Sequence, residues 1–254
     1  MTHDLTGRAA LVTGASSGIG RRLSLSLAAA GAKVAVCARR ADRLASLVEE
    51  IEAAGGRAVA VEMDVEDEGS IIAGFDAAEA AFGTIETVYA NAGMNIEGLA
   101  VDLPIEAWDK VMAVNCRGVF ITAREAARRM KAAGSRETGR GRIVLMASMG
   151  AHTVLPGLTA YCTSKAAVVM MAKALAREWA RQGISVNSVC PGFLETELNS
   201  DWFAREGGKA QVQTWPRKRL MREADLDPIL LYLGGDESGA VTGASFNIDD
   251  GQSL

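Results

Sequence analysis

Apolar residues in this chain follow two rhythms in alternation. Short runs, apolar almost without interruption, occupy Arg8–Thr13, Lys33–Ala38, Arg57–Val61, Glu86–Ala90, Arg142–Ala147, Ser185–Cys190 and Ala244–Ile248 and have the length of strands. Between them, positions 18–30, 41–54, 67–82, 104–131, 159–182 and 223–234 repeat apolar residues at i, i+3 and i+4 over helical lengths. Runs that are apolar on both faces are buried on both faces. The repetition therefore predicts an α/β fold: a doubly wound parallel sheet of about seven strands with helices on both faces. No repeat, low-complexity tract or linker breaks the pattern, so the chain reads as one domain over 1–254. The exception is 192–222, which carries neither rhythm and holds Trp202, Phe203, Gly207, Gly208, Trp215 and Pro216. A long irregular insertion in a compact domain is usually functional, and this one is expected to be a lid.

Composition narrows the function classes. The 254 residues are 49% hydrophobic and 23% charged, enough for an ordinary core. A net charge of −4 offers no basic field to a nucleic acid. The longest weakly charged stretch, Ala166–Ala176, is interrupted by Lys173 and falls far short of the ~20 apolar residues of a membrane span. His3 and Asp4 lead straight into the first apolar run without the features of a signal peptide, so a cytoplasmic location is expected. Cysteines at 37, 116, 162 and 190 are too far apart for CxxC chemistry and are expected to be buried, reduced thiols, with no metal site. Glycine is in surplus: 27 occur, where average usage gives about 18.

Part of that surplus lies in Thr13-Gly14-Ala15-Ser16-Ser17-Gly18-Ile19-Gly20, between the first strand and the first helix. In that position glycines permit a tight turn and a close approach of backbone to a pyrophosphate, while the helix N-terminus offers free N–H groups: a Rossmann-like dinucleotide site. The second strand ends in Ala38 followed by Arg39 and Arg40, with Arg43 a turn later, where an acidic residue would select an unphosphorylated ribose. Guanidinium groups suit a 2′-phosphate, which favours NADP(H) over NAD(H). Tyr161 and Lys165 are four residues apart at the start of a helix, on one face, where an ammonium would favour ionisation of the phenol. Ser148 adds a hydroxyl at the carboxyl end of a strand, where open parallel sheets hold ligands.

The glycine turn, Asn91-Ala92-Gly93, Asn115, Ser148, the Tyr161/Lys165 pair and Pro191-Gly192 occur in an order that resembles the short-chain dehydrogenase/reductase family, in its compact form and over essentially the whole chain. The resemblance implies that Tyr161 is the general acid/base, that Lys165 lowers its pKa and binds the nicotinamide ribose, that Ser148 holds the substrate oxygen, and that Asn115 supports a water relay to Lys165. It further implies that Gly14, Ser16, Ser17, Gly18, Ile19 and Gly20 line the cofactor, with Asp64 and Val65 near adenine, Asn91 and Gly93 near its ribose, and Pro191, Gly192 and Thr196 near the nicotinamide. It also implies a homotetramer built through 104–131 and 159–182. Three positions depart from the family pattern: Ala90 stands where Asn is frequent, Ser17 is not basic, and Asp250 stands where a second glycine is commoner.

The expected reaction is hydride exchange between a ketone and a secondary alcohol. Met94, Met149, His152, Val154, Leu155, Phe193, Trp202 and Phe203 are the expected substrate contacts and suggest bulky apolar or aryl substituents. The basic run Arg217, Lys218, Arg219 and Arg222 reads as a solvated face, and would serve a second possibility, reduction of a 3-oxoacyl thioester. A nicotinamide-binding sensor without turnover is the third.

Overall fold

The computed structural model describes residues 3–194 and 200–254. Its seven strands are β1 (Ala9–Thr13), β2 (Lys33–Ala38), β3 (Arg57–Glu62), β4 (Thr87–Ala90), β5 (Gly141–Met146), β6 (Ile184–Pro191) and β7 (Ser245–Ile248). They form one sheet in the order β3-β2-β1-β4-β5-β6-β7, and every neighbouring pair is parallel. The helices that connect the first strands are α1 (Gly18–Ala29), α2 (Ala41–Ala53) and α3 (Glu68–Phe82). Alternate residues of each strand serve opposite faces. In β1, Ala9 and Leu11 join the core under α3 with Ile71 and Phe75, whereas Ala10 and Val12 join the core under α1 and α2 with Leu23, Leu27 and Leu44.

The expected long helix over 104–131 is divided. It is observed as α4 (Ile105–Met112), one π-helical turn (Ala113–Gly118) and α5 (Val119–Ala132), followed by the short α6 (Ser135–Thr138). Periodicity of 3.6 cannot register a single π turn, and such turns concentrate at functional positions. Helix α7 (Thr159–Trp179) runs under β5 and β6, and α10 (Asp227–Gly234) covers the opposite face. Among the described residues no helix is long and apolar enough to cross a membrane.

The stretch read as irregular contains two short helices, α8 (Ser200–Ala204) and α9 (Glu206–Thr214). Their apolar residues pack into a cluster of their own instead of repeating along a sheet-facing side. Phe193 stacks on Trp215 with ring centroids 5.4 Å apart, and Phe203 meets both rings edge-on or tilted. Cys37 and Cys190 are buried as expected, but Cys116 and Cys162 are only partly buried, and all four are free thiols.

Candidate active site

Strand order reverses between β1 and β4, so the loops that leave their carboxyl ends part and open a crevice, the usual ligand position in such sheets. Thr13 fastens the two loops together. Its Oγ1 accepts from the Asn91 and Ala92 N–H groups at 3.0 and 3.1 Å, and the Asn91 side chain donates to the Thr13 carbonyl at 2.9 Å. Sequence reasoning passed over Thr13; a hydroxyl at the last position of β1 was the available signal.

The glycine turn has the shape of a phosphate cradle. Gly14 and Gly18 adopt φ of +69° and +53°, and a Cβ on Gly20 would overlap the Gly14 carbonyl. The first N–H groups of α1 have no intrahelical acceptor, no side chain caps them, and the first helical turn contains no acidic residue. Ile19 is partly buried and packs against the core beneath the turn.

Arg40 donates through Nε and Nη2 to Ser16 Oγ at 3.1 and 2.8 Å, and through Nη2 to Ser17 Oγ at 2.9 Å. Arg39 is turned elsewhere: it is largely exposed and lies 4.0 Å from Glu66. The expected basic pair is thus split, with Arg40 on the turn and Arg39 beside it. Asp64 forms a local turn, accepting from the Glu66 N–H at 3.0 Å, and Val65 packs where Gly118 of the π turn leaves space.

Asn115 is fully buried in the π turn. Its amide exchanges two hydrogen bonds of 2.8 Å with the Met94 backbone and donates to Ser164 Oγ at 3.1 Å, which in turn donates to the Tyr161 carbonyl at 2.7 Å. This chain fixes the first turn of α7 against the loop after β4. A Cβ on Gly93 would stand 3.3 Å from Lys165 Nζ and 3.4 Å from Asn115 Oδ1, so both groups face the bare backbone of Gly93. That glycine leaves open the space a ribose would need, and together with the turn after β1 the residues fit a dinucleotide.

Ser148, 8% exposed at the end of β5, accepts from the Gly150 N–H at 3.1 Å and stands beside the Tyr161 phenol. Lys165 is buried and donates to the Met146 carbonyl at 2.8 Å, its Nζ lying 5.6 Å from the centre of the Tyr161 ring. Burial pushes the Tyr161 phenol up from its ordinary value, with the Ser148 hydroxyl opposing that shift, and pulls the Lys165 ammonium down to about 8. The ammonium lies beside the ring and is bonded to a carbonyl.

The expected substrate residues divide. Met149 is buried, Leu155 packs against Gly150, and Met94 and Phe193 are partly buried beside the site. His152 is exposed, with Nε2 3.7 Å from the thiol of buried Cys190. Val154 is turned to solvent at 84% exposure, because it stands on the loop before α7 with nothing packed over it. Trp202 is 44% exposed and donates to Gln211 at 2.9 Å, while Phe203 is drawn into the aromatic cluster. Pro191 closes β6, the Gly192 N–H donates to the Ile248 carbonyl at 2.9 Å, and Thr196 lies outside the described residues. The basic run is a solvated face whose exposed arginines make ion pairs: Arg217 and Arg219 both reach Asp250, and Arg222 pairs with Asp225.

A family model described as short chain dehydrogenase matches residues 8–207. The chain is similar to a D-threitol dehydrogenase of Mycolicibacterium smegmatis, with 33% identity over 98% of this chain and 94% of that one. A crystal structure of a short-chain type dehydrogenase/reductase from Mycobacterium marinum superposes with a TM-score of 0.91 at 37% identity, covering 100% of this chain and 98% of that chain. A variant of actinorhodin polyketide ketoreductase solved with NADPH superposes with a TM-score of 0.88 at 34% identity, covering 97% of each chain.

Proposed function

The chain belongs to the short-chain dehydrogenase/reductase family of oxidoreductases, which use a nicotinamide dinucleotide, and from that premise we propose that it interconverts a ketone and a secondary alcohol with NADP(H). One observation carries the reading. The Ser148 hydroxyl and the Tyr161 phenol stand side by side at the carboxyl end of β5, one helical turn from a buried Lys165, beside a crevice whose backbone is bare at Gly93. The bound dinucleotide supplies or accepts the hydride.

Ser148 orients the substrate oxygen toward Tyr161, and Tyr161 donates a proton to that oxygen in reduction or removes one in oxidation. Lys165 holds positive charge beneath the phenol ring, favouring the phenolate that forms as the proton leaves. Asn115 holds the loop after β4 and the first turn of α7 in register through Met94 and Ser164. Arg40, braced by Ser16 and Ser17, together with Arg39, would hold a 2′-phosphate. Met94, Met149, Leu155 and Phe193 make one side of the substrate space apolar, which suits aryl or bulky alkyl substituents and keeps water from the reacting carbon.

The whole chain acts as one dinucleotide-binding unit, with 192–222 as its substrate lid. The acyl thioester reading has an analogue in the polyketide ketoreductase, but the arginines it would use already share the Asp250 carboxylate. An apolar hollow of about 500 Å³ between Met112, Cys116, Phe120 and Met171, beside exposed Met170, fits a second copy of the chain across α4, α5 and α7. To test the reaction, purified protein is given NADPH or NADH with a panel of aryl, alkyl and polyol carbonyls. Consumption of NADPH with an aryl or bulky ketone is expected. Consumption of NADH alone would overturn the cofactor assignment, and no consumption with any carbonyl would overturn the reaction.

A further inference from the structure

The excursion between Leu194 and Met221 leaves and re-enters the fold at one place. Leu194 and Met221 form a parallel bridge, and the Met221 N–H donates to the Phe193 carbonyl at 3.1 Å. The last residues of the chain grip that junction. Gln252 accepts from the Phe193 N–H at 2.6 Å and donates to the carbonyls of Phe193 and Arg219 at 3.2 and 3.4 Å. Asp250 then takes both arginines of the returning segment, Arg219 Nε at 2.7 Å and Arg217 Nη1 at 3.1 Å. Its side chain is 10% exposed, whereas those of Arg217 and Arg219 are 67% and 47% exposed. The carboxylate is therefore the fixed member and the arginines are drawn to it.

Backbone conformation marks the same place. Among the described residues only Lys218 and Asp250 combine a side chain with positive φ, +49° and +54°. Lys218 lies between the two arginines, and Asp250 is the group they hold. Residues other than glycine keep this conformation where their surroundings over-determine it, and here both strained positions serve one ion-pair cluster.

We propose that Asp250 is a positioning residue: by clasping Arg217 and Arg219 it holds the returning segment 201–221 against the site, and so sets the apparent affinity for substrate and not the rate of the chemical step. The proposal rests on the reading that this segment covers the substrate. A contact made equally in the bound and reacting states appears in KM and leaves kcat unchanged. Two partly exposed pairs on one carboxylate also make the effect dependent on salt.

Asp250→Asn tolerates the backbone angle as aspartate does but loses the charge, while Asp250→Gly also relieves the strain. Both are compared with Glu206→Gln, which removes an exposed pair with Lys209 on α9. For both Asp250 variants KM for the carbonyl substrate is expected to rise about fivefold or more with kcat within about twofold, and the rise of wild-type KM with added salt is expected to vanish. In ligand-free protein, tryptic cleavage within 200–222 is expected to accelerate in the Asp250 variants and not in Glu206→Gln. Unchanged KM, salt response and cleavage would overturn the proposal, as would a fall in kcat without faster cleavage. If wild-type protein turns over no carbonyl, the reaction assigned above fails, and the cleavage pattern still decides whether Asp250 holds the segment.

Discussion

Both ends of the parallel sheet bury polar side chains, yet the two ends treat them differently. At the amino ends of β1 and β5, Arg8 and Arg142 are 2% and 3% exposed. Arg8 donates to Thr87 Oγ1 at 2.9 Å, to the Arg140 carbonyl at 3.1 Å and to Asp236, and Arg142 donates to the carbonyls of Gly235, Gly139 and Gly141. Arg140 grips Glu86 with two bonds and reaches Asp236 with a third. At the carboxyl ends, Lys165 is equally buried but has one carbonyl partner among the described residues for its three hydrogens, and Gly93 leaves space beside it. A cation bonded to three acceptors on separate segments ties loops together. One held by a single acceptor keeps donors for a ligand. Buried polarity by itself says nothing of function; the number of protein acceptors each cation holds, three for each arginine and one for Lys165, separates the two ends.

The comparison can be broken in several places. The largest effect belongs to Tyr161→Phe, which is expected to reduce turnover by about 10³-fold, the scale of one lost proton-transfer group, with NADPH affinity unchanged by fluorescence titration. At the opposite end, Arg8→Ala is expected to cost about 3 kcal/mol in denaturant unfolding, since it empties a core position and strands the groups it served. The surviving folded enzyme should keep its kcat within about twofold. A large loss of kcat there would end the division of labour.

Lys165 gives the comparison a pH signature. Its ammonium titrates near 8 in the fold and near 10.4 in an unfolded chain, so between these values the unfolded chain binds more protons. The penalty of burying the cation is complete below pH 8 and is relieved as pH rises toward 10. Wild type should therefore gain roughly 3 kcal/mol of stability relative to Lys165→Met across that window. A flat difference would show that the ammonium is not desolvated.

The smallest effect sharpens the cofactor assignment. Arg40→Ala should raise KM for NADPH about tenfold and leave KM for NADH nearly unchanged, with Arg39→Ala doing less because its guanidinium stands outside the serine pair. Equal effects on both cofactors would remove the 2′-phosphate from this site.

Much of the frame is legible in the sequence because its causes are local. Runs of apolar residues gave strand ends within about two residues, although the edge strands β3 and β7 are not buried on both faces, and the i, i+4 spacing put Tyr161 and Lys165 on one face of α7. The π turn that buries Asn115 was not legible, because its neighbours on both sides keep an ordinary helical rhythm. Neither were α8 and α9, which are anchored by Phe203 of α8 and by Trp215 just past α9, packed on Phe193 and on each other. The setting of Lys165 was not legible either: spacing shows that the ammonium is near Tyr161, but not that it is buried and bonded to the Met146 carbonyl. The partners of Arg217 and Arg219 lie beyond β7, out of reach of any pattern along the chain.

The most direct test measures thermal unfolding and nicotinamide oxidation side by side in Lys165→Met and Arg142→Ala at pH 7. Lys165→Met is expected to melt at or above the wild-type temperature with turnover lost by at least about 10²-fold, since it removes a buried cation along with its chemistry. Arg142→Ala is expected to lose about 3 kcal/mol and keep wild-type turnover while folded, because only loop carbonyls lose their donor. If Lys165→Met loses stability as Arg142→Ala does, or Arg142→Ala loses turnover as Lys165→Met does, the two ends of the sheet do not divide their buried charges between chemistry and fold.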